Sequence, residues 1–155
     1  SMIAQTEGEK HGCKQVIFKD PHRGDAIEEL GGMNVFFVFG KENKIVTPEL
    51  TGTILEGVTR SSLIQLAKDR GMTVEERAIT LTEWREGVAN GDITEIFACG
   101  TAAVVAPIGK LKAEDFEIPA PTEHFGEISK SLREELVGIQ TGVVEDRHGW
   151  LTRLI

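Results

Sequence analysis

The chain has 155 residues, 40% of them hydrophobic and 27% charged, and a formal net charge of −8. That length suits one domain with a sizeable core, and the acidic excess argues against a general nucleic-acid or anionic-membrane surface, so any anion site is local. No apolar run of about 18 residues is present, so no membrane span is predicted, and the start, Ser1-Met2-Ile3-Ala4-Gln5, reads like the middle of a helix rather than a leader.

In chain order, residues 2–9 read as the end of a helix closed near Gly12. Residues 16–19 are a short strand candidate, followed by the turn-rich segment 20–25. Residues 34–40, Asn-Val-Phe-Phe-Val-Phe-Gly, are almost continuously apolar, the pattern of a central strand buried on both faces. Glu42-Asn43 gives a polar turn, and residues 44–47 return as its hairpin partner. A helix is predicted over 62–71, with Leu63, Leu66 and Ala67 on one face and Gly71 at its C-cap. Residues 73–79 alternate like a strand, and Thr80 to Glu83 is a capping box opening a second helix to Asn90-Gly91. Residues 95–98 and 102–108 are predicted strands around a Cys99-Gly100-Thr101 turn. Pro107, Pro119 and Pro121 punctuate a loop before a third helix over 125–140. With no internal repeat and no strict alternation of element types, the fold class is mixed α/β with about three helices rather than a doubly wound sheet.

Two short segments carry most of the chemical information, 55–62 (Leu-Glu-Gly-Val-Thr-Arg-Ser-Ser) and 95–103 (Glu-Ile-Phe-Ala-Cys-Gly-Thr-Ala-Ala). Each places a Gly and a Thr at a strand end, and the first runs into an amphipathic stretch. Glycine admits close approach of a ligand to the backbone, and a helix start offers free N–H groups and a favourable dipole, so a phosphate suits such a site. One such turn alone reads better as an ordinary glycine turn; the pair points to a phosphorylated cofactor. Glu28 and Glu29, just before Leu30-Gly31-Gly32-Met33-Asn34, point to opposite faces of a strand, so only one faces a given pocket. They read either as solvated edge charges or as one carboxylate set against the ring nitrogen of a pyridine cofactor.

Eight residues separate Gly100 from Gly109, so Gly109-Lys110 does not close a nucleotide P-loop, which requires four. Met33 and Trp84 read as packing residues, and Cys99 as a turn cysteine beside a pocket with no base to activate it. Cys13 and Cys99 are far apart and the four histidines are scattered, so no metal site is expected, and a reducing, cytoplasmic compartment is the simplest setting.

Taken together, Glu29-Leu30-Gly31-Gly32-Met33-Asn34-Val35-Phe36-Phe37, the 55–62 turn and residues 97–107 closely resemble branched-chain amino-acid aminotransferases, pyridoxal-5′-phosphate enzymes of fold type IV. The resemblance runs the whole chain, from Ala4-Gln5 and Gly12-Cys13 to the ending His148-Gly149-Trp150, and is strongest to the actinobacterial type. It implies that residues 1–155 are the C-terminal pseudo-barrel, cofactor-binding domain. It implies Glu29 as the partner of the pyridine nitrogen, and Val58, Thr59 and Thr101 as the phosphate ligands. The Thr101 and Ala102 amides would receive the substrate carboxylate, and Met33, Cys99 and Gly100 would line the cavity. Its substrates are amino acids and 2-oxo acids, and its assembly a homodimer or larger, with no nucleic acid and no membrane.

Two departures accompany the resemblance. The family's Schiff-base lysine lies shortly upstream of the Ala-Gln segment in a Gly-Gly-Asn-Tyr context that none of this chain's lysines shares, and the small N-terminal domain is also missing. Ala103 and Ala106 stand where some relatives carry a redox-sensitive Cys-x-x-Cys. The chain is therefore expected to be inactive alone. Two further readings stay open: another fold type IV enzyme (a D-amino-acid aminotransferase or aminodeoxychorismate lyase), disfavoured by the Gly-Gly-Met-Asn and Cys-Gly-Thr-Ala-Ala combination, or a non-catalytic cofactor-binding or assembly module.

Overall fold

The computed structural model describes residues 2–122 and 124–154, so Ser1 of the helical opening lies outside the described residues. Its centre is strand β3 (Asn34–Phe39), which follows α1 (Met2–Lys10), β1 (Ile17–Lys19) and β2 (Ile27–Leu30). All six residues of β3 are buried, as a continuous apolar run requires when a sheet is covered on both faces. β3 pairs antiparallel with β4 (Lys44–Thr47) on one side and with β6 (Ile93–Gly100) on the other. β5 (Thr73–Glu76) adds to β4 in parallel and β7 (Val104–Pro107) to β6 antiparallel, giving a five-stranded mixed sheet ordered β5-β4-β3-β6-β7. The parallel step from β4 to β5 needs a crossover, which α2 (Val58–Asp69) supplies.

The period-2 alternation of β3 divides the core. Phe36 and Val38 join Leu63, Leu66 and Ala67 of α2 and Leu132 and Leu136 of α4 (Glu127–Gln140). Val35, Phe37 and Phe39 face the other way, with Trp84 of α3 (Leu81–Asn90) and Ile118 of β9 (Glu117–Ile118), the partner of β8 (Leu111–Lys112). Phe36 stacks on Phe97 across the β3–β6 pair at 5.0 Å between ring centroids. On the opposite face Phe37 meets Trp84 edge-on at 5.1 Å. Such pairs add about 0.5–1.5 kcal/mol to the burial of the rings themselves.

Several boundaries differ from those read in the sequence. Helix α2 begins at Val58, four residues before the predicted start; its first turn exposes Val58 and buries the charged Arg60, so it shows no apolar periodicity. Strand β5 stops at Glu76 rather than residue 79. Its partner β4 ends at Thr47, and Pro48 has no N–H to extend the ladder. The chain then leaves the sheet, and the Ile79 carbonyl accepts instead from the Ile27 amide at 2.8 Å. Cys99 and Gly100 belong to β6, paired with Val105 and Val104, so the turn itself is 101–103. There are four α-helices among the described residues: α1, where residues 2–9 read as a helix end, and the three predicted further along the chain. The β8–β9 hairpin replaces part of the predicted proline-punctuated loop.

Two helix caps show how the layers are joined. Thr80 Oγ1 accepts from the Glu83 amide at 3.0 Å, half of the predicted capping box. The Glu83 carboxylate completes a fork with Arg77 instead, at 2.7 and 3.0 Å. Helix α4 has Gly126 at its N-cap and no side-chain cap of its own. The buried Glu95 of β6 supplies one, its two carboxylate oxygens accepting from the Ile128 and Ser129 amides at 2.9 and 2.8 Å. A Cβ on Gly126 would meet this carboxyl group at 2.0 Å, which explains the glycine.

Glu95→Ala would orphan both α4 amides in the interior, and the expected loss is about 2 kcal/mol of unfolding free energy. Urea denaturation measures it; a change below about 0.5 kcal/mol would mean the cap adds nothing net.

Candidate functional site

The sheet end where β3 begins gathers most of the residues singled out from the sequence. β2 enters β3 through a two-residue turn at Gly31-Gly32, with φ of +53° and +89°. Leu30 and Met33 exchange both backbone hydrogen bonds at 2.8 Å. Two successive positive φ values define the type I′ hairpin, which suits glycine and matches the natural strand twist. This turn fixes which of the two carboxylates faces which way. Glu28 accepts a hydrogen bond from Thr53. The half-buried Glu29 carboxylate has no hydrogen-bond or ion-pair partner among the described residues. Burial, and secondarily the charge of Glu28, raises its pKa above the ordinary glutamate value.

The first glycine turn opens α2. Gly57 stands at the N-cap with φ +71°, with no side-chain cap and no acidic residue in the first turn. The first backbone bond runs from the Ser61 amide to the Gly57 carbonyl at 3.0 Å. The amides of Val58, Thr59 and Arg60 therefore lack intrahelical acceptors and stand at the positive end of the helix dipole. A Cβ on Gly57 would lie 2.3 Å from Asn34 Oδ1, so only glycine permits this approach. Asn34 Nδ2 in turn donates to the Leu55 carbonyl at 2.9 Å.

The second turn, 101–103, links β6 to β7. The Thr101 and Ala102 amides donate to no backbone carbonyl among the described residues. Val104, which closes the turn, has φ +58°, a costly conformation for a β-branched residue and one concentrated at functional sites. Asn34 pairs with Cys99 across the sheet, so one residue ties both turns to the same end.

A cavity of about 1040 Å³ opens beside the second turn and brings together Met33, Gly100, Thr101 and Ala102. Its apolar wall includes Ile17, Leu30 and Ile108, and its charged lining residues are Lys14, Lys110 and Lys112. Met33 Cγ sits 3.2 Å from where a Gly100 Cβ would be, so the absent side chain gives Met33 its place. Glu29, Val58 and Thr59 lie outside this lining. So does Cys99, whose side chain faces the α2–α4 core, where burial pushes the thiol up to about 12. Two residues given no role in the sequence join the site: Asn34 and Arg60. Arg60 carried a legible signal, a basic residue in the first turn of a helix, where the dipole disfavours it.

Exposed amides and two threonine hydroxyls on the two turns, with one unpartnered carboxylate on β2 and a cavity beside the second turn, suit a ligand that is anionic at one end and protonated on a ring. Fold and arrangement together define a mixed α/β domain with a candidate anion-binding site. The chain belongs to the amino-transferase class IV family, whose pattern it matches over residues 1–111. The branched-chain-amino-acid aminotransferase of Mycolicibacterium smegmatis is 48% identical over 156 residues, covering 99% of this chain and 42% of the relative. A probable branched-chain-amino-acid aminotransferase of Staphylococcus aureus is 46% identical over 150 residues, covering 97% of this chain and 41% of the relative. Among solved structures, a T.th. branched-chain amino acid aminotransferase with pyridoxamine 5′-phosphate matches at a TM-score of 0.80 and 30% identity. That match covers 97% of this chain and 45% of the other. The chain thus spans about 42% of the length of its curated actinobacterial relative.

The Glu29 carboxylate ionises less readily in the fold than in the unfolded chain. Its contribution to stability is present below the ordinary carboxylate range and is lost as pH rises through its raised pKa. The stability of Glu29→Gln relative to wild type should therefore increase from about pH 4 toward neutrality. Urea unfolding across that range checks it; a flat difference contradicts the shift.

Proposed function

We propose that residues 1–155 form the C-terminal cofactor-binding domain of a pyridoxal-5′-phosphate-dependent branched-chain amino-acid aminotransferase, transferring amino groups between Leu, Ile or Val and 2-oxoglutarate. The observation that carries this reading is the unpartnered, half-buried Glu29 carboxylate held at the same sheet end as two turns of unpaired amides. The residues fit the cofactor: the Gly57 approach leaves no room for a side chain, and the donor set is the kind that receives phosphate.

When bound, pyridoxal phosphate supplies an electron sink for the substrate carbon that loses its proton. Glu29 keeps a proton on the ring nitrogen, which strengthens that sink. The Val58 and Thr59 amides and the Thr59 and Thr101 hydroxyls bind the phosphate. The Thr101 and Ala102 amides orient the substrate carboxylate, a neutral receptor that gains strength where water is excluded. Met33 and Gly100 form part of the wall against the branched side chain; Cys99, turned into the core, is not part of it. The general base is a lysine of the family's upstream segment, and no lysine of this chain is assigned that role.

Assembly as a homodimer is part of the proposal. Leu55 is 75% exposed and Val58 85% exposed beside the first turn, apolar surface that calls for a cover. The cysteines Cys13 and Cys99 are both free, in keeping with a reducing cytoplasm.

Thr59→Val and Thr101→Val should each weaken pyridoxal phosphate binding by about tenfold, the worth of one good hydrogen bond to a charged group. Thr141→Val, at the far end of α4, should not change it. Equilibrium dialysis against the cofactor decides; no binding by the wild-type chain, or equal loss in all three variants, rejects the assignment.

A further inference from the structure

Arg60 is the one cation buried in the first turn of α2, with 2% of its surface exposed. Its Nη2 donates to the Pro48 carbonyl at 3.0 Å and to Glu76 Oε2 at 2.8 Å. Its Nε is buried with no hydrogen-bond partner among the described residues. Both features are unfavourable taken alone. A cation adds to the positive end of the helix dipole, and an unsatisfied buried donor forfeits its hydration. Glu76 offsets the charge from a side chain that is 42% exposed, where water screens it.

The position of Arg60 accounts for this. Its Cβ lies 3.4 Å from where a Gly57 Cβ would stand, so its stem packs directly under the first turn. Its charge also reaches the end of β6, pulling the Cys99 thiol down against the burial that raises it. Cys99 is two residues from Thr101. The stem therefore lies at the base of the α2 turn, and the charge is felt on the strand that leads to the second turn.

We propose that Arg60 is a positioning residue for the anion, a buried charge that raises the phosphate affinity of the α2 turn it packs against and is held in partial check by Glu76. The inference rests on the phosphate assignment made above. A purely structural Arg60, tying the ends of β4 and β5 to α2, predicts the opposite sign for one substitution. Removing the Glu76 charge would loosen that tie and weaken the anion site, whereas release of an electrostatic check would strengthen it.

The test is phosphorus NMR titration of the full chain with inorganic phosphate. Glu76→Gln should tighten phosphate binding by about two- to fivefold, and Glu75→Gln, with the same change in net charge on the same strand, should leave it unchanged. Arg60→Met should weaken it by about tenfold, and Arg60→Lys should restore part of the loss. Unchanged or weaker binding in Glu76→Gln overturns the inference even if Arg60→Met fails to fold. If the wild-type chain binds no phosphate, the phosphate assignment falls and this inference with it; if it binds but Glu76→Gln does not tighten, only this inference falls.

Discussion

Six consecutive buried residues, Asn34 to Phe39, set the terms for everything around them. A strand buried on both faces must have all its backbone groups paired and both rows of side chains covered. β4 and β6 provide the pairing, α2 and α4 cover one face, and α3 with the β8–β9 hairpin covers the other. The polar first residue, Asn34, is the exception that connects this core to chemistry. Its side chain holds the loop before α2 while its backbone pairs with the end of β6. The two glycine turns are neighbours because both are anchored to the start of the most buried strand.

The site above that strand is built from absences as much as from groups. Missing Cβ atoms at Gly57 and Gly100 give Asn34 and Met33 their places. Among the described residues helix α2 has no capping side chain and the Glu29 carboxylate no partner. In a folding domain each of these is a small deficit; together they leave donors, one acceptor and an apolar wall available to a ligand. The Val104 conformation belongs to the same pattern, local strain where the backbone must present amides rather than pair them.

Much of this was legible in the sequence, and for identifiable reasons. The run Val35 to Phe39 can hardly be anything but a buried strand, and Thr80 announces the start of α3 through its hydroxyl. The pair of glycine turns and the Glu28-Glu29 dilemma were visible as patterns. The early start of α2 was not, because hydrophobic periodicity reports only the buried part of a helix. The cap on α4 was hidden too, since Glu95 lies more than 30 residues before the amides it serves, and no local pattern encodes such a contact. The placement of Cys99 needed the register of β6: one residue decides whether a side chain faces the cavity or the core. Family resemblance carried the functional roles further than spacing alone, and the unassigned Arg60 shows what a motif leaves unsaid about the residues inside it.

The Gly31-Gly32 turn bears on how this surface tolerates change over evolutionary time. Exposed hairpin tips ordinarily accept insertions and deletions, because the added backbone stays in solvent. Here the length of the tip sets the phase of β2 against β3. One residue gained or lost would shift β2 by a single side-chain position and put Glu28 or Leu30 on the face that Glu29 now takes. A loop that looks free to drift in length is in effect a two-residue ruler, open to substitution only where positive φ allows and closed to any change in count.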